Sequence, residues 1–400
     1  MAGDAAPDPT TPARDPLAIY VHWPYCLAKC PYCDFNSHVR ESIDTDAMAQ
    51  AYCAELEYFA GLTGRQPVET IFFGGGTPSL MPEGLVDRIL STIADLWQLG
   101  SDAEITLEAN PTSADAARFA GYRAAGVNRL SLGVQALDNA ALAFLGRQHS
   151  AAESLQALDL AAREFSRTSI DLIYGRENQT PGAWETELNR ALALPVQHIS
   201  LYQLTIEKGT PFFQDARDGR LHLPDEDTLR TFFDMTQAIA DAAGMPAYEV
   251  SNHAAPGEAC RHNLAYWTYR PYVGVGPGAH GRLPVNNGNS SVRRMATRQH
   301  AKPETWLNAV RTKGHGSAES EPVPADEMVI EALMMGLRLT GGIDAIAFQR
   351  ATGQPLDNAC SASGARRLIE AEFIERTPTH LRLTAKGRPF LDAILKKLVT

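Results

Sequence analysis

Three of the chain's six cysteines fall within eight residues, Cys26-Leu-Ala-Lys-Cys30-Pro-Tyr-Cys33, and thiols crowded in this way point to a metal. Thiolates at i, i+4 and i+7 of one loop can each take an iron of a four-iron, four-sulfur cluster. The fourth iron then has no protein ligand and is open to bind something. Zinc is the alternative: His38 could supply a fourth donor, although zinc sites usually show paired C-x2–4-C elements. Cys53, Cys260 and Cys360 are scattered and read as small buried hydrophobes or inert thiols.

The cysteine loop opens directly after a short apolar run. From Leu17 to about Val250 such runs alternate with longer segments of helical period, the pattern of βα units around a parallel sheet. Strands are expected over 18–23, 70–73, 104–108, 129–134, 169–173 and 198–204, and helices over 46–59, 83–96, 114–125, 153–164, 184–193 and 227–243. Right-handed crossovers make this a partial (β/α)6 barrel with its helices outside. Polar residues and glycines collect where the strands finish: Tyr20 and His22, Gly74-Gly75-Gly76, Glu108, Gln135, Asp171 and Tyr202. Any one of these is most simply a turn residue. Their recurrence on strand after strand places the chemistry at the C-terminal edge of the barrel.

Residues 1–16, rich in Ala, Pro, Asp and Thr, read as a disordered tail without a secretory signal. The barrel is expected over 17–250. A Gly-, Pro-, Asn- and Arg-rich connecting region follows over 251–322, and over 323–400 a mostly helical, winged-helix-like C-terminal domain. With 44% hydrophobic and 21% charged residues and no stretch long enough to span a bilayer, the chain is expected in the cytoplasm. A net charge of -11 disfavours nucleic acid as a partner. Arg293, Arg294, Arg298, His300 and Lys302 form a basic run that could meet carboxylates or make peripheral contact with an acidic membrane. A solvated loop is the commoner fate of such a run.

The cysteine triad after the first strand, followed by Gly74-Gly75-Gly76-Thr77-Pro78 after the second, resembles the radical S-adenosylmethionine superfamily. The resemblance implies that S-adenosylmethionine chelates the open iron through its amino and carboxylate groups. Reduction, by an electron donor, then cleaves it to methionine and a 5′-deoxyadenosyl radical. Ile19-Tyr20-Val21-His22-Trp23-Pro24, Cys33-Asp34-Phe35-Asn36-Ser37, Gly133-Val134-Gln135, Gly146-Arg147 and Asp171-Leu172-Ile173-Tyr174-Gly175 narrow it further. They are similar to the oxygen-independent coproporphyrinogen III oxidase family and its HemW haem-chaperone branch. By that resemblance Tyr20, Tyr32, Gly75, Gly76, Thr77, Glu108, Gln135, Arg147 and Asp171 line the cofactor pocket.

Two departures favour the chaperone branch over the oxidase. The oxidase carries a fourth cysteine where this chain has Phe35, and it has a long N-terminal extension. His262-Asn263-Leu264-Ala265-Tyr266-Trp267 looks like the haem-binding motif of that branch, with His262 as an iron ligand and Tyr266 and Trp267 packing on the macrocycle. His280 is a weaker second candidate. The resemblance thus implies a carrier that passes haem to acceptor haemoproteins, with no catalytic residue assigned. Arg176-Glu177-Asn178, where relatives usually carry Leu-Pro, has no explanation in the sequence.

Overall fold

A computed structural model describes residues 15–284 and 293–399; the expected tail lies almost wholly outside the described residues. Six strands, β1 (Leu17–Trp23), β2 (Pro67–Gly75), β3 (Gln98–Ala109), β4 (Arg129–Gln135), β5 (Arg167–Tyr174) and β6 (His198–Gln203), pair in parallel and in sequence order. Between them run α1 (Thr45–Thr63), α2 (Glu83–Leu96), α3 (Ala116–Ala125), α4 (Ala151–Glu164) and α5 (Pro181–Leu192), with α6 (Glu226–Ala242) after β6. Most of these helices start on a side-chain cap: Asp44, Asp115, Thr180 and Asp225, and at α4 a Ser150–Glu153 capping box.

Alternation along each strand divides the two faces of the sheet. Leu17, Ile19, Val21, Ile71, Phe73, Ile105, Leu107, Leu130, Leu132, Ile170, Leu172 and Ile199 point to one side and join the main apolar core. The intervening residues face the other side and are polar or aromatic: Tyr20, His22, Thr70, Phe72, Glu104, Glu108, Arg129, Ser131, Asp171, His198 and Tyr202. A parallel strand covered on both faces is normally apolar throughout. The polar face here marks the lumen as a place for ligands.

Of the stretch expected as a connecting region, 251–322, the described residues prove to be largely regular. They form β7 (Asn252–Ala254), β8 (Tyr272–Val275), β9 (His280–Pro284), β10 (Arg294–Gln299) and β11 (Ser317–Pro322), with α7 (Arg261–Trp267) and α8 (Pro303–Lys313) between them. β8 pairs in parallel with β1; β9, β10 and β11 follow antiparallel, and β7 closes the other edge against β6. The result is one eleven-stranded sheet in the order β11-β10-β9-β8-β1-β2-β3-β4-β5-β6-β7 that does not close on itself. Its glycines permit close approach rather than marking irregular chain. A Cβ on Gly274 would lie 1.9 Å from the His280 carbonyl oxygen, and one on Gly281 would lie 2.5 Å from Thr297 Oγ1.

From residue 323 the chain is mostly helical: Ala325–Gly336, Ala345–Thr352, Ala362–Glu370 and Leu391–Val399 surround a three-stranded antiparallel sheet whose last two strands form a wing. This region has its own apolar core, which takes in Tyr269 from the barrel side. Arg338 reaches back to the buried Glu249 (2.9 Å), and Thr340 N donates to the Tyr248 carbonyl. No described helix is long and apolar enough to cross a membrane.

Candidate cofactor site

The chain leaves β1 at Trp23, runs through the cysteine loop and returns at His38–Val39, which pairs in parallel with Tyr25–Cys26. Each limb of this loop meets a donor from the barrel rim. Thr77 Oγ1 donates to Cys26 Sγ (3.4 Å), and Arg147 Nη1 donates to Cys30 Sγ (3.4 Å) while its Nη2 donates to the Gly133 carbonyl (3.0 Å). Tyr32 lies beside Arg147 and Cys30 and packs against Phe212. Burial pushes the Cys26 and Cys33 thiols up, which favours the protonated form of these two sulfurs. A bound cation or cluster would reverse that preference.

His38 does not turn toward the cysteines. Its Nε2 lies 3.2 Å from Asn36 Oδ1 and 3.3 Å from the Ala301 carbonyl, on the side of the loop facing the sheet extension. Among the described residues no three thiol, imidazole or carboxylate groups converge as a single-ion site requires.

The three glycines at the end of β2 answer first to packing. A Cβ on Gly74 would lie 2.9 Å from the Tyr20 ring, one on Gly75 would lie 2.6 Å from the His22 ring, and one on Gly76 would lie 2.7 Å from the Tyr25 carbonyl oxygen. Gly75 also holds φ at +113°, which side chains rarely adopt, and its N–H donates to Glu108 Oε2 (3.3 Å). The glycines therefore let the rim of β2 sit flush against β1 and the cysteine loop, which presents backbone to the same space.

Glu108 and Asp171 stand on the same face of the sheet, on strands separated by β4, and repel one another electrostatically. Burial raises the Glu108 carboxyl to about 8, helped by the Asp171 charge, and burial also raises Asp171, opposed by hydrogen bonds from Ser200 and Ser131. At pH 7 this pair favours the presence of a proton or a cationic donor such as an ammonium group. Gln135 holds φ at +69°, an uncommon backbone for a residue with a side chain. His22 is buried and neutral, its imidazole depressed to about 4; its Nε2–H donates to the Asn36 carbonyl (2.9 Å), so its Nδ1 accepts from Tyr20 (3.0 Å). All nine expected pocket residues thus lie at the rim or in the lumen beside it. The sequence missed Asn110, which lines a cleft with Cys30, Thr77 and Arg147 two residues beyond Glu108. It also missed the partners that fix His22.

The residues fit a cluster with S-adenosylmethionine. Three thiols share one loop and two of them already accept hydrogen bonds from the rim. Arg147 Nε is buried with no partner among the described residues, a donor suited to a carboxylate.

The second motif lies deeper. His262 is 1% exposed on α7, which crosses the lumen near the N-terminal ends of the strands. Its Nδ1 is 2.9 Å from Thr70 Oγ1, its Nε2 is 2.9 Å from the Tyr266 hydroxyl, and its ring stacks on Phe72. Desolvation lowers it to about 3, so it is neutral, with one nitrogen donating and the other accepting. Trp267 lies under the Arg338 guanidinium, 4.5 Å from ring centroid to Cζ. The motif is thus assembled as a floor to the lumen, with both imidazole nitrogens engaged. His280 stands apart, exposed on β9 opposite Arg298.

Two residues of the basic run already have partners. Arg294 is buried over the Tyr269 ring and donates to its carbonyl, while Arg298 pairs with Glu319. The structure also explains Arg176: it is buried and pairs with Glu187, whose Oε1 also accepts from Leu137 N (2.7 Å).

The radical SAM superfamily model matches residues 20–191, and the HemN C-terminal domain model matches residues 323–390. The chain is 38% identical to the Bos taurus protein named radical S-adenosyl methionine domain-containing protein 1, mitochondrial, over 98% of this chain and 90% of that one. It is 34% identical to heme chaperone HemW of Escherichia coli (strain K12), over 95% and 97%. Among solved structures, coproporphyrinogen III oxidase (HemN) from Escherichia coli shares the fold with a TM-score of 0.79 at 21% identity, over 97% of this chain and 91% of that one. The chain belongs to the radical S-adenosylmethionine superfamily and, within it, to the oxygen-independent coproporphyrinogen III oxidase-like family, in its HemW branch.

Proposed function

We propose that this protein is a haem carrier: it holds a 4Fe-4S cluster on Cys26, Cys30 and Cys33, binds S-adenosylmethionine at the barrel rim, and passes haem to acceptor haemoproteins. The observation that carries the reading is likeness over nearly the whole chain to proteins named as heme chaperones, joined to a rim that aims Thr77 and Arg147 at two of the three sulfurs. When bound and reduced by an electron donor, the cluster would supply one electron to the sulfonium of S-adenosylmethionine.

The chain's own residues bind and orient. Arg147 meets a carboxylate, Glu108 and Asp171 accept from ammonium or ribose donors, and Tyr20, Tyr32, Gly75, Gly76, Thr77 and Gln135 shape the pocket. His262 is the proposed haem ligand, with Tyr266 and Trp267 against the macrocycle. Ligation through one ring nitrogen would displace the bond that nitrogen makes, to Thr70 or to Tyr266, worth about 1 kcal/mol net, and leave the other to orient the ring. An iron–imidazole bond formed in this dry floor can offset that cost.

Decarboxylation of coproporphyrinogen III to its divinyl product is the competing reading, and the shared fold is the observation in its favour. Against it stands Phe35, exposed on the loop where that enzyme has a cysteine. The deciding assay is anaerobic incubation of the reconstituted protein with S-adenosylmethionine, a reductant and coproporphyrinogen III. No protoporphyrinogen from cluster-loaded protein is expected; catalytic formation would make it a decarboxylase.

A further inference from the structure

We propose that Asn36 is a positioning residue for the iron–sulfur cluster, through which the sheet extension clamps the return limb of the cysteine loop. The inference rests on the cluster assignment above and adds to it a second half of the site, built from residues 276–278 and 301–304.

Asn36 follows Cys33 by three residues, and every polar atom of its side chain is engaged. Its Nδ2 donates to the Pro277 carbonyl (2.8 Å) and to the Ala301 carbonyl (2.9 Å), and its Oδ1 lies 3.2 Å from His38 Nε2. Its own carbonyl takes the His22 Nε2–H. One residue therefore ties together β1, the cysteine loop, the β8–β9 turn and the chain just before α8. Gly278 makes room for it: at φ +83°, a Cβ there would sit 2.3 Å from Asn36 Nδ2. Gly276, at φ +98°, closes in likewise on the His22 carbonyl, 2.4 Å from where its Cβ would be.

The clamp is itself anchored from behind. Glu55 on α1, fully buried, accepts from Gly276 N (2.8 Å), Gly316 N (2.7 Å) and Trp306 Nε1 (3.0 Å), which fixes the turn and α8 against the barrel. The opposite limb of the loop is held by the barrel, where Phe212 N donates to the Pro31 carbonyl (3.0 Å). Cys33 sits between these two holds; Cys26 and Cys30 accept from the rim, whereas the donor to Cys33 is the Phe35 N–H of the loop itself, one residue before Asn36. Its placement depends on Asn36. The isosteric change Asn36→Asp turns two donors into a carboxylate facing two carbonyl oxygens, so it removes the clamp without opening a cavity.

The test uses the full chain, reconstituted anaerobically, with the rate of cluster loss to an iron chelator followed by loss of charge-transfer absorbance and the melting temperature of the cluster-free protein measured alongside. Asn36→Asp and Asn36→Ala are expected to lose the cluster about tenfold faster than the parent while the cluster-free proteins melt close to it. Arg40→Ala, which breaks an exposed ion pair to Glu304 at the same interface, should leave the rate unchanged. Parent-like cluster loss in both Asn36 variants would overturn the proposal. So would a fall in the melting temperature of the cluster-free variants large enough to account for faster loss. A parent that takes up no cluster at all would instead sink the cluster assignment on which the proposal stands.

Discussion

His262 on α7 and Thr70 on β2 join the floor of the barrel to its wall, Nδ1 to Oγ1 at 2.9 Å, although 192 residues of sequence separate them. The same imidazole contacts Tyr266 through Nε2, so the residue proposed to ligate haem also ties the floor together.

Replacing His262 by Ala should therefore have two effects. It leaves the buried Thr70 and Tyr266 hydroxyls without their partner and should destabilise the protein by about 2–4 kcal/mol. It should also weaken haem binding while cluster content is unchanged, since no cysteine of the loop touches this floor. Haem titration against iron and sulfide analysis separates the two. Equal haem affinity in variant and parent would remove His262 from the haem site.

The floor should also be acid-sensitive. His262 is depressed from its ordinary 6.5 to about 3, so the folded protein binds fewer protons than the unfolded chain between those values. The stability this contributes is present above about pH 6.5 and is lost as pH falls toward 3. His22 and His253, each depressed to about 4, act in the same direction. Chemical denaturation from pH 7 to 5 should show a falling free energy, and His262→Gln should flatten that slope.

Glu55 predicts the opposite slope. Its carboxyl is raised from 4.5 to about 7 because burial outweighs its three donors. The folded state binds the extra proton, so this group's contribution is full below about pH 4.5 and is lost as pH rises through 7. Glu55→Gln cannot titrate and sets an amide donor against N–H groups. It should cost about 2 kcal/mol near pH 7 and remove this part of the pH dependence. Paired melts of parent and variant at pH 5 and pH 8 measure both effects.

Arg147→Ala should retain iron, since all three thiols remain, but bind S-adenosylmethionine at least tenfold more weakly. It should also shift the cluster potential by removing the cation beside Cys30. Isothermal titration and a redox titration check the two parts. Unchanged affinity would take Arg147 out of the cofactor pocket.

The parallel strands and their helices were legible because apolar runs of four to eight residues alternate with helical period, and the rim residues because polar groups recur where those runs end. The sheet extension was not legible, for physical reasons. β11 reads Ser-Ala-Glu-Ser-Glu-Pro and is solvent-facing at a sheet edge, so no apolar alternation marks it. β10 reads Arg-Met-Ala-Thr-Arg-Gln, and its Arg294 is buried by stacking on Tyr269 rather than by hydrophobicity. The glycines of 274–281 suggested irregular chain, while their function is close packing against His280, Thr297, Asn36 and Tyr52. The Arg176 side chain looked out of place until Glu187, eleven residues away on α5, supplied its partner.

The central claim, that this chain carries haem to other proteins, is tested most directly by loading the reconstituted protein with haem and mixing it with an apo-haemoprotein, following the acceptor's Soret band. Transfer faster than from free haem or from haem held by the His262→Ala variant is predicted. Acceptor spectra that grow no faster than haem dissociates from the loaded protein unaided would contradict it.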